Sequence, residues 1–468
     1  MAQDTANNAE ALARLNHELQ ETRSELADSR RQIEELRQGL EELRKQLQSD
    51  RSAASPAPSA VEPSTAAADQ DPTFLAAKIS ELHQDKVESQ SKYPVKVSGL
   101  VLFNSYVNRG NLDIQDLPNL AFPQYPGAAD GSFGATLRQT LFGVSATGPK
   151  LFGAHTSAEA EIDFGGGSPT TSFGVATGIV RLRTANVSLD WMHTSLKIGQ
   201  DGLFFSPLNP TSYATLLEPA LSWSGNLWVW TPQIEVEHRV ALNNVSNLVL
   251  QGGLLDPLTE EIPQFQRRTP TAGEATRTPA FAGRIGLDSS SARHPFSIGF
   301  GGYRAQQQYQ TFPNISSWTL NEDFKVPLGN YLELSGEWYE GQAVGGLGGG
   351  IWTSVVYPEA TAPYSAVHPL RSTGGWAQLK VKPAARVEIN GVFGQDGNNG
   401  QDLRFFPTPF TGEGFSPLQK NRTNLVNFIY KPNAFLLFAV EYRHLFTAPA
   451  SAEGASGDQL NFAAGVHF

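Results

Sequence analysis

The stretch Gln459-Leu460-Asn461-Phe462-Ala463-Ala464-Gly465-Val466-His467-Phe468 alternates over its whole length. Leu460, Phe462, Ala464, Val466 and Phe468 share one face, and Asn461, Ala463, Gly465 and His467 share the other. A period of two defines a strand whose faces meet different surroundings. Left open at the end of a sheet in water, such an apolar face is a liability. It is stable where the apolar face meets lipid and the strand closes a barrel, since a closed sheet leaves no backbone group unpaired in hydrocarbon.

The same alternation recurs upstream. In 228–239, Trp228, Trp230, Pro232, Ile234 and Val236 oppose Thr231, Gln233, Glu235, Glu237 and Arg239. Trp228 and Trp230 are expected at the membrane interface, as an aromatic girdle. In 331–339, Leu332, Leu334 and Trp338 oppose Glu333, Ser335 and Glu337. In 158–164, Ala158, Ala160, Ile162 and Phe164 oppose Glu159, Glu161 and Asp163. Leu436, Phe438, Val440 and Tyr442 oppose Glu441 and Arg443. Ionisable residues on one face of so many strands predict a wet interior.

From residue 93 onward the pattern supports sixteen antiparallel strands joined by connections of alternating length. Short ones fall at 147–153, 190–194, 240–246, 288–294, 327–330, 382–385 and 431–433, with the Pro, Gly, Asn and Asp that tight turns use. Longer polar loops fall at 108–133, 165–175, 201–226, 252–279, 304–314, 341–374, 397–420 and 447–458. That asymmetry predicts an all-β transmembrane barrel with periplasmic turns and extracellular loops. The Gly-rich run 345–350 is expected to be a flexible stretch of a surface loop.

Composition agrees. The longest apolar run, 434–440, is far short of the ~20 residues a membrane-crossing helix needs. A net charge of −11 argues against nucleic acid as a partner. With no cysteine, disulfides and thiolate metal sites are excluded. The segment after Met1 has no signal-peptide pattern, which is expected if one has been removed.

Ahead of the barrel, residues 1–50 predict an oligomerising α-helical coiled coil. Leu12, Leu15, Leu19, Thr22, Leu26, Ser29, Ile33, Leu36, Leu40, Leu43 and Leu47 keep strict 3-4 spacing. The heptads demand association without fixing the number of chains. Residues 51–92 read as an Ala/Pro-rich linker followed by a short helix carrying Leu75, Ile79 and Leu82 on one face.

Nothing in the chain points to catalysis. The His residues lack metal-ligand spacing, and no nucleophile motif occurs, so neither metal nor cofactor is expected. The third long loop carries Asp201, Phe204, Phe205, Tyr213 and Glu218, and is too apolar to extend into water. It either folds inward to narrow a channel or seals the rim. Arg138, Arg181, Arg183 and Lys197 lie on neighbouring strands and form a candidate cationic constriction. Small organic anions would be gripped there, Arg bidentately. The other reading is that these cations are paired with Glu159 and Glu161 and only stiffen the wall. With Glu235 and Glu237, those two acids are candidate lumen carboxylates.

The chain resembles the DcaP-like trimeric outer-membrane porins. The likeness rests on Leu182-Arg183, Lys197-Ile198-Gly199-Gln200, Pro232-Gln233-Ile234 with Glu237-His238-Arg239, Gly336-Glu337 before the glycine run, Gly375-Trp376 and Phe468. The resemblance implies a homotrimer in a Gram-negative outer membrane, each protomer with its own pore and the coiled coil in the periplasm. It also implies passive uptake of small organic anions such as dicarboxylates, with Arg181, Arg183 and Lys197 at the constriction. Phe468 then resembles the signal read by the barrel-assembly machinery. A structural tether, with the coiled coil reaching across the periplasm from an anchoring barrel, is the alternative.

Overall fold

The computed structural model describes residues 93–127, 129–167, 178–260, 269–291, 295–359, 362–406 and 417–468. The expected coiled coil, linker and short helix lie outside the described residues.

The strands are β1 (Val95–Arg109), β2 in two pieces (Gly131–Thr136 and Leu141–Thr147), β3 (His155–Asp163), β4 (Arg181–Asp190) and β5 (Thr194–Asp201). After the third long loop come β6 (Thr231–Ala241), β7 (Ser246–Leu255), β8 (Ala280–Ser289), β9 (Phe296–Gln307), β10 (Ile315–Pro327) and β11 (Leu332–Gln342). The last are β12 (Arg371–Ala384), β13 (Val387–Asn398), β14 (Leu418–Tyr430), β15 (Leu436–Pro449) and β16 (Ala455–His467). Each pairs antiparallel with its neighbour, and β1 pairs with β16 from Leu100↔His467 to Arg109↔Asp458, so the sheet closes. The closed sheet has sixteen strands because both pieces of β2 lie along β1, one on each half. Where β2 breaks, the freed Leu102 amide donates instead to Thr140 Oγ1 at 3.1 Å.

The closing seam shows why the register holds. Val107↔Leu460 and Val101↔Val466 pair on the outer face. On the inner face Asn104 Nδ2 donates to Asn461 Oδ1 at 3.1 Å, and Gln459 Nε2 to Asn108 Oδ1 at 3.0 Å. Phe462 is 42% exposed and Asn461 1%. A slip of one residue would turn the amides outward and the apolar side chains inward. The strands in 331–339 and 436–443 sort their faces the same way, with Trp338 and Val440 exposed and Glu337 and Glu441 buried.

All seven turns on one side are short, and six of the eight connections on the other side are long; the loops expected at 304–314 and 447–458 shrink to 308–314 and 450–454, because β9 runs on to Gln307 and β15 to Pro449. Two further expectations need correction. The glycine run 345–350 is buried, not slack. The Gly350 amide donates to Tyr339 Oη at 2.8 Å, and Gly348 lies against the Trp228 backbone at φ +85°. Missing Cβ atoms here allow close packing. Trp228 and Trp230 also precede β6 and lie inside, where Trp228 is 8% exposed and packs edge-on to Trp230 and Trp352. The apolar side chains around them outweigh the alternation, because the chain only becomes a strand at Thr231.

Candidate functional site

The third long loop, 202–230, lies within the barrel and makes a circuit of its inner wall. Phe205 is fully buried and stacks on Tyr303 of β9, while its carbonyl accepts from Asn321 of β10. Ser206 Oγ and the Leu208 amide both donate to the Glu337 carboxylate of β11, each at 2.7 Å. The Thr211 amide meets Gln378 of β12 at 2.7 Å, and Ser212 Oγ donates to Glu441 of β15 at 2.6 Å. Asn104 of β1 donates to the Tyr213 carbonyl at 2.9 Å. Gln139, in the break of β2, clamps both the Ala214 carbonyl and the Leu216 amide. The loop then crosses to β4, where Arg183 Nη1 donates to the Leu216 carbonyl and Arg181 Nη2 to that of Leu217. On its return the Asn421 side chain of β14 donates to the Trp223 carbonyl at 2.8 Å. Gly225, at φ +96°, presses on the backbone of Gly375 and Gln395 so closely that no Cβ fits.

Apolar contacts follow the same path. Leu203, Phe204 and Phe205 join Leu227, Val229 and Leu255 in one buried cluster. Tyr213 and Leu216 pack on inward-facing Leu100, Leu102, Ile429 and Leu437. A second loop fills the mouth: Ala121 N donates to Thr447 Oγ1 of β15, and Arg443 donates to the Pro118 carbonyl. Within it, burial pushes the Asp113 carboxyl up to about 6, even though it accepts from the Asn119 and Leu120 amides.

The candidate cations sit where the loop ends its circuit. Asp163 of β3 is fully buried and accepts from Arg181 Nε and Nη2, at 3.1 and 2.7 Å, and from Arg183 Nη1 at 3.2 Å. Arg183 also lies 2.8 Å from Glu161. A bulge at Arg183 keeps Arg181, Arg183 and Thr184 on the inner side, since Glu161 pairs with Thr184 and Ile162 with Leu182. The bulged carbonyls of Leu182 and Arg183 are satisfied by Gln200 Nε2, at 3.1 and 2.8 Å. Trp230 lies beneath both guanidinium groups, 5.0 and 4.5 Å from its ring centre.

Lys197 pairs with Asp201 at 2.8 Å, and Asn186 bridges Asp201 to Glu159 at 3.2 and 3.0 Å. Glu235 accepts from Gln251 at 2.9 Å, and Glu237 pairs with Arg239 at 2.6 Å. Arg138 stands apart, paired with Asp116 of the first loop at 2.9 Å. Glu218 is buried against Asn119 and Ser222, at 3.0 and 3.1 Å. Phe468 closes on Gly99 by reciprocal backbone bonds and packs on Phe142. Sequence reading singled out neither Asp163 as the anchor of the two arginines nor Trp230 as their platform. The parity of Asp163 with Glu159 and Glu161 was a signal for the first. For the second there was only the oddity of three Trp within 223–230.

Among the described residues no group of His, Asp or Glu is arranged to hold a metal. A closed sixteen-stranded barrel, apolar outside, polar inside and threaded by its own loop, has the architecture of a membrane-spanning porin. No protein-family model matches the sequence, and no curated protein matches it. Among solved structures the chain is similar to the outer-membrane channel DcaP of Acinetobacter baumannii, at 13% identity and a TM-score of 0.60, over 81% of this chain and 99% of that one. It is also similar to OprB of Pseudomonas putida, at 10% identity and a TM-score of 0.50, over 84% and 97%. The chain thus has the porin fold, with DcaP among its structural neighbours.

Proposed function

We propose that the chain is an outer-membrane porin through which small hydrophilic solutes diffuse passively, with small organic anions such as dicarboxylates engaging Arg181 and Arg183. The observation that carries this reading is the pair of guanidinium groups on Trp230, at the end of a loop that lines the inner wall. The wall beside them is acidic, with Glu159, Glu161, Glu235 and Glu237 against Lys197. Preference for anions therefore comes from contact with the two arginines and not from net charge. In planar bilayers three equal conductance steps per insertion are expected. Arg181→Ala with Arg183→Ala should lower permeability to dicarboxylates about fivefold relative to potassium, matching about 1 kcal/mol of lost contact. A barrel that inserts but never conducts would overturn the porin reading and leave an anchor.

Homotrimers are the second part of the proposal. Strands β3, β4 and β5 have only 9, 10 and 8 residues, against 13 or 14 for β10, β12, β15 and β16. The outer face of the short wall is lined by Ala146↔Ala158 and Ala160↔Ala185. About 9–11 residues are needed to cross a bilayer; β5 falls below that and β3 and β4 barely reach it, so this short wall suits contact with other copies better than lipid. The short turns face the periplasm in this arrangement.

Strand β10 carries an acid on its outer face. Glu322 is exposed between Phe300 and Trp338, its partners in register, within an apolar belt that includes Leu320. Glu322→Leu is expected to stabilise the barrel in vesicles by about 1 kcal/mol, the cost of holding a carboxyl group against hydrocarbon. A urea midpoint unchanged or lowered in that variant would mean lipid does not cover this face.

A further inference from the structure

The outer face of β13–β16 and β1 changes character at one level. On β14, Val426, Phe428 and Tyr430 are apolar, whereas Lys420, Arg422 and Asn424 follow toward the loop side. On β15, Leu436, Phe438 and Val440 give way to Tyr442 and His444, and on β16 Phe462 and Leu460 give way to Asp458. On β1, Val101, Phe103 and Val107 give way to Arg109. Register makes these polar positions one continuous patch: Gln395↔Arg422, Asn424↔His444, His444↔Asp458 and Asp458↔Arg109.

The patch is net cationic, with Lys420, Arg422 and Arg109 against one acid, Asp458, which lies opposite Arg109 in register. Its acid, Asp458, already accepts from Tyr442 Oη at 2.8 Å and meets His444 Nδ1 at 2.7 Å. Arg422 is held by Gln395 Oε1 at 3.2 and 2.9 Å and lies 5.8 Å from the Phe393 ring centre. A neutral amide orients the guanidinium without cancelling its charge, and among the described residues Arg422 and Lys420 have no carboxylate within ion-pair distance. Inside the barrel the opposite holds, with Arg181, Lys197, Arg284 and Arg443 each paired to an acid.

We propose that this patch docks the phosphate groups of an anionic lipid in the leaflet on the loop side. Lys420, Arg422 and Arg109 supply the charge, and the apolar side chains below accept the acyl chains. A charge fixed where the apolar belt ends sits at headgroup depth, and a phosphate offers acceptors for the N–H donors that a guanidinium leaves unfilled. This rests on the membrane-spanning reading, which conductance in a neutral-lipid bilayer tests separately.

The test uses the full chain, stripped of endogenous lipid, in neutral micelles doped with diphosphoryl lipid A, with the same lipid dephosphorylated, or with inorganic phosphate. Binding is read from the rise in the temperature at which the folded gel band is lost. The diphosphoryl lipid alone is expected to raise it. Each cation removed in Lys420→Ala, Arg422→Ala or Arg109→Ala should weaken binding on the order of fivefold, while Arg422→Lys keeps most of it. Equal effects from the dephosphorylated lipid or from inorganic phosphate would overturn the proposal. So would unchanged lipid binding in the Lys420→Ala, Arg422→Ala double variant. Variants that change the number of associated chains but not lipid binding would show that the patch faces another copy, and overturn it too.

Discussion

Asp163→Ala is expected to cost about 3 kcal/mol of barrel stability and to shift the channel toward anions. The carboxylate is fully buried and holds two guanidinium groups at once, and it also accepts the Gly165 amide at 2.8 Å. Removing one member of a buried ion pair leaves the partner charges uncompensated, which typically costs about 3–5 kcal/mol. The lower end applies because Arg181 keeps 27% of its side chain in contact with solvent and because Glu161 still faces Arg183. The same change leaves two cations with one fewer acid beside them, so the reversal potential should become more anion-leaning. Asp163→Asn separates charge from shape. It should destabilise nearly as much, because an amide keeps the volume but offers no negative charge. Urea unfolding of the inserted barrel that places the Asn variant within about 0.5 kcal/mol of the parent would assign Asp163 a packing role only.

The consequence reaches past stability. Arg181 and Arg183 are the last wall residues the inner loop touches before it turns back, through the carbonyls of Leu217 and Leu216. Their position is fixed from three sides: by Asp163, by the Trp230 ring and by the loop backbone. A solute carboxylate meeting them finds side chains that are already ordered, so little rotamer entropy is lost on contact.

Much of the barrel is legible in the sequence because lipid outside and water inside impose a period of two on every strand that faces both. The alternation of Leu460, Phe462 and Val466 with Asn461 and Gln459 needs no tertiary information to be read. Legibility fails where a third environment intrudes. Leu437 and Ala439 face inward yet are apolar, and in sequence they merge with Leu436, Phe438 and Val440 into one run. That run is the trace of the inner loop: a strand apolar on both faces is covered on both faces. Leu100 and Leu102 beside Val101 and Phe103 say the same on β1. The tryptophans at 228 and 230 keep strand parity while belonging to the loop, so parity alone misplaces them. Glycines 345–350 mislead for a related reason, since composition cannot tell glycine that gives slack from glycine that allows contact. Of the candidate site, residue types and strand positions were legible, but not their partners, which depend on where a loop of almost thirty residues lies inside the barrel.

Replacing residues 207–226 by a short glycine-serine linker should raise single-channel conductance severalfold while leaving a barrel that still inserts. The wall holds this loop mainly through polar side chains, among them Asn104, Gln139, Glu337, Gln378 and Glu441. Once the loop is gone these groups face water, which can satisfy each of them, so few donors or acceptors are left unpaired. The sheet itself loses no ladder hydrogen bond, since every strand pair is formed without the loop. What is lost is apolar burial. Leu100, Leu102, Ile429 and Leu437 become exposed to the lumen, at about 25 cal/mol for each Å² uncovered. That predicts a weaker but intact barrel, and a wider one. Glu337→Ala is the milder version: it leaves the Leu208 amide without its acceptor and should make the open channel noisier before it makes it larger. If the excised protein still shows the heat-dependent shift of a folded barrel but conducts no better than the parent, the loop lines a passage whose narrowest point lies elsewhere. The next place to look is then the mouth, where the first loop is tied to Thr447 and Arg443.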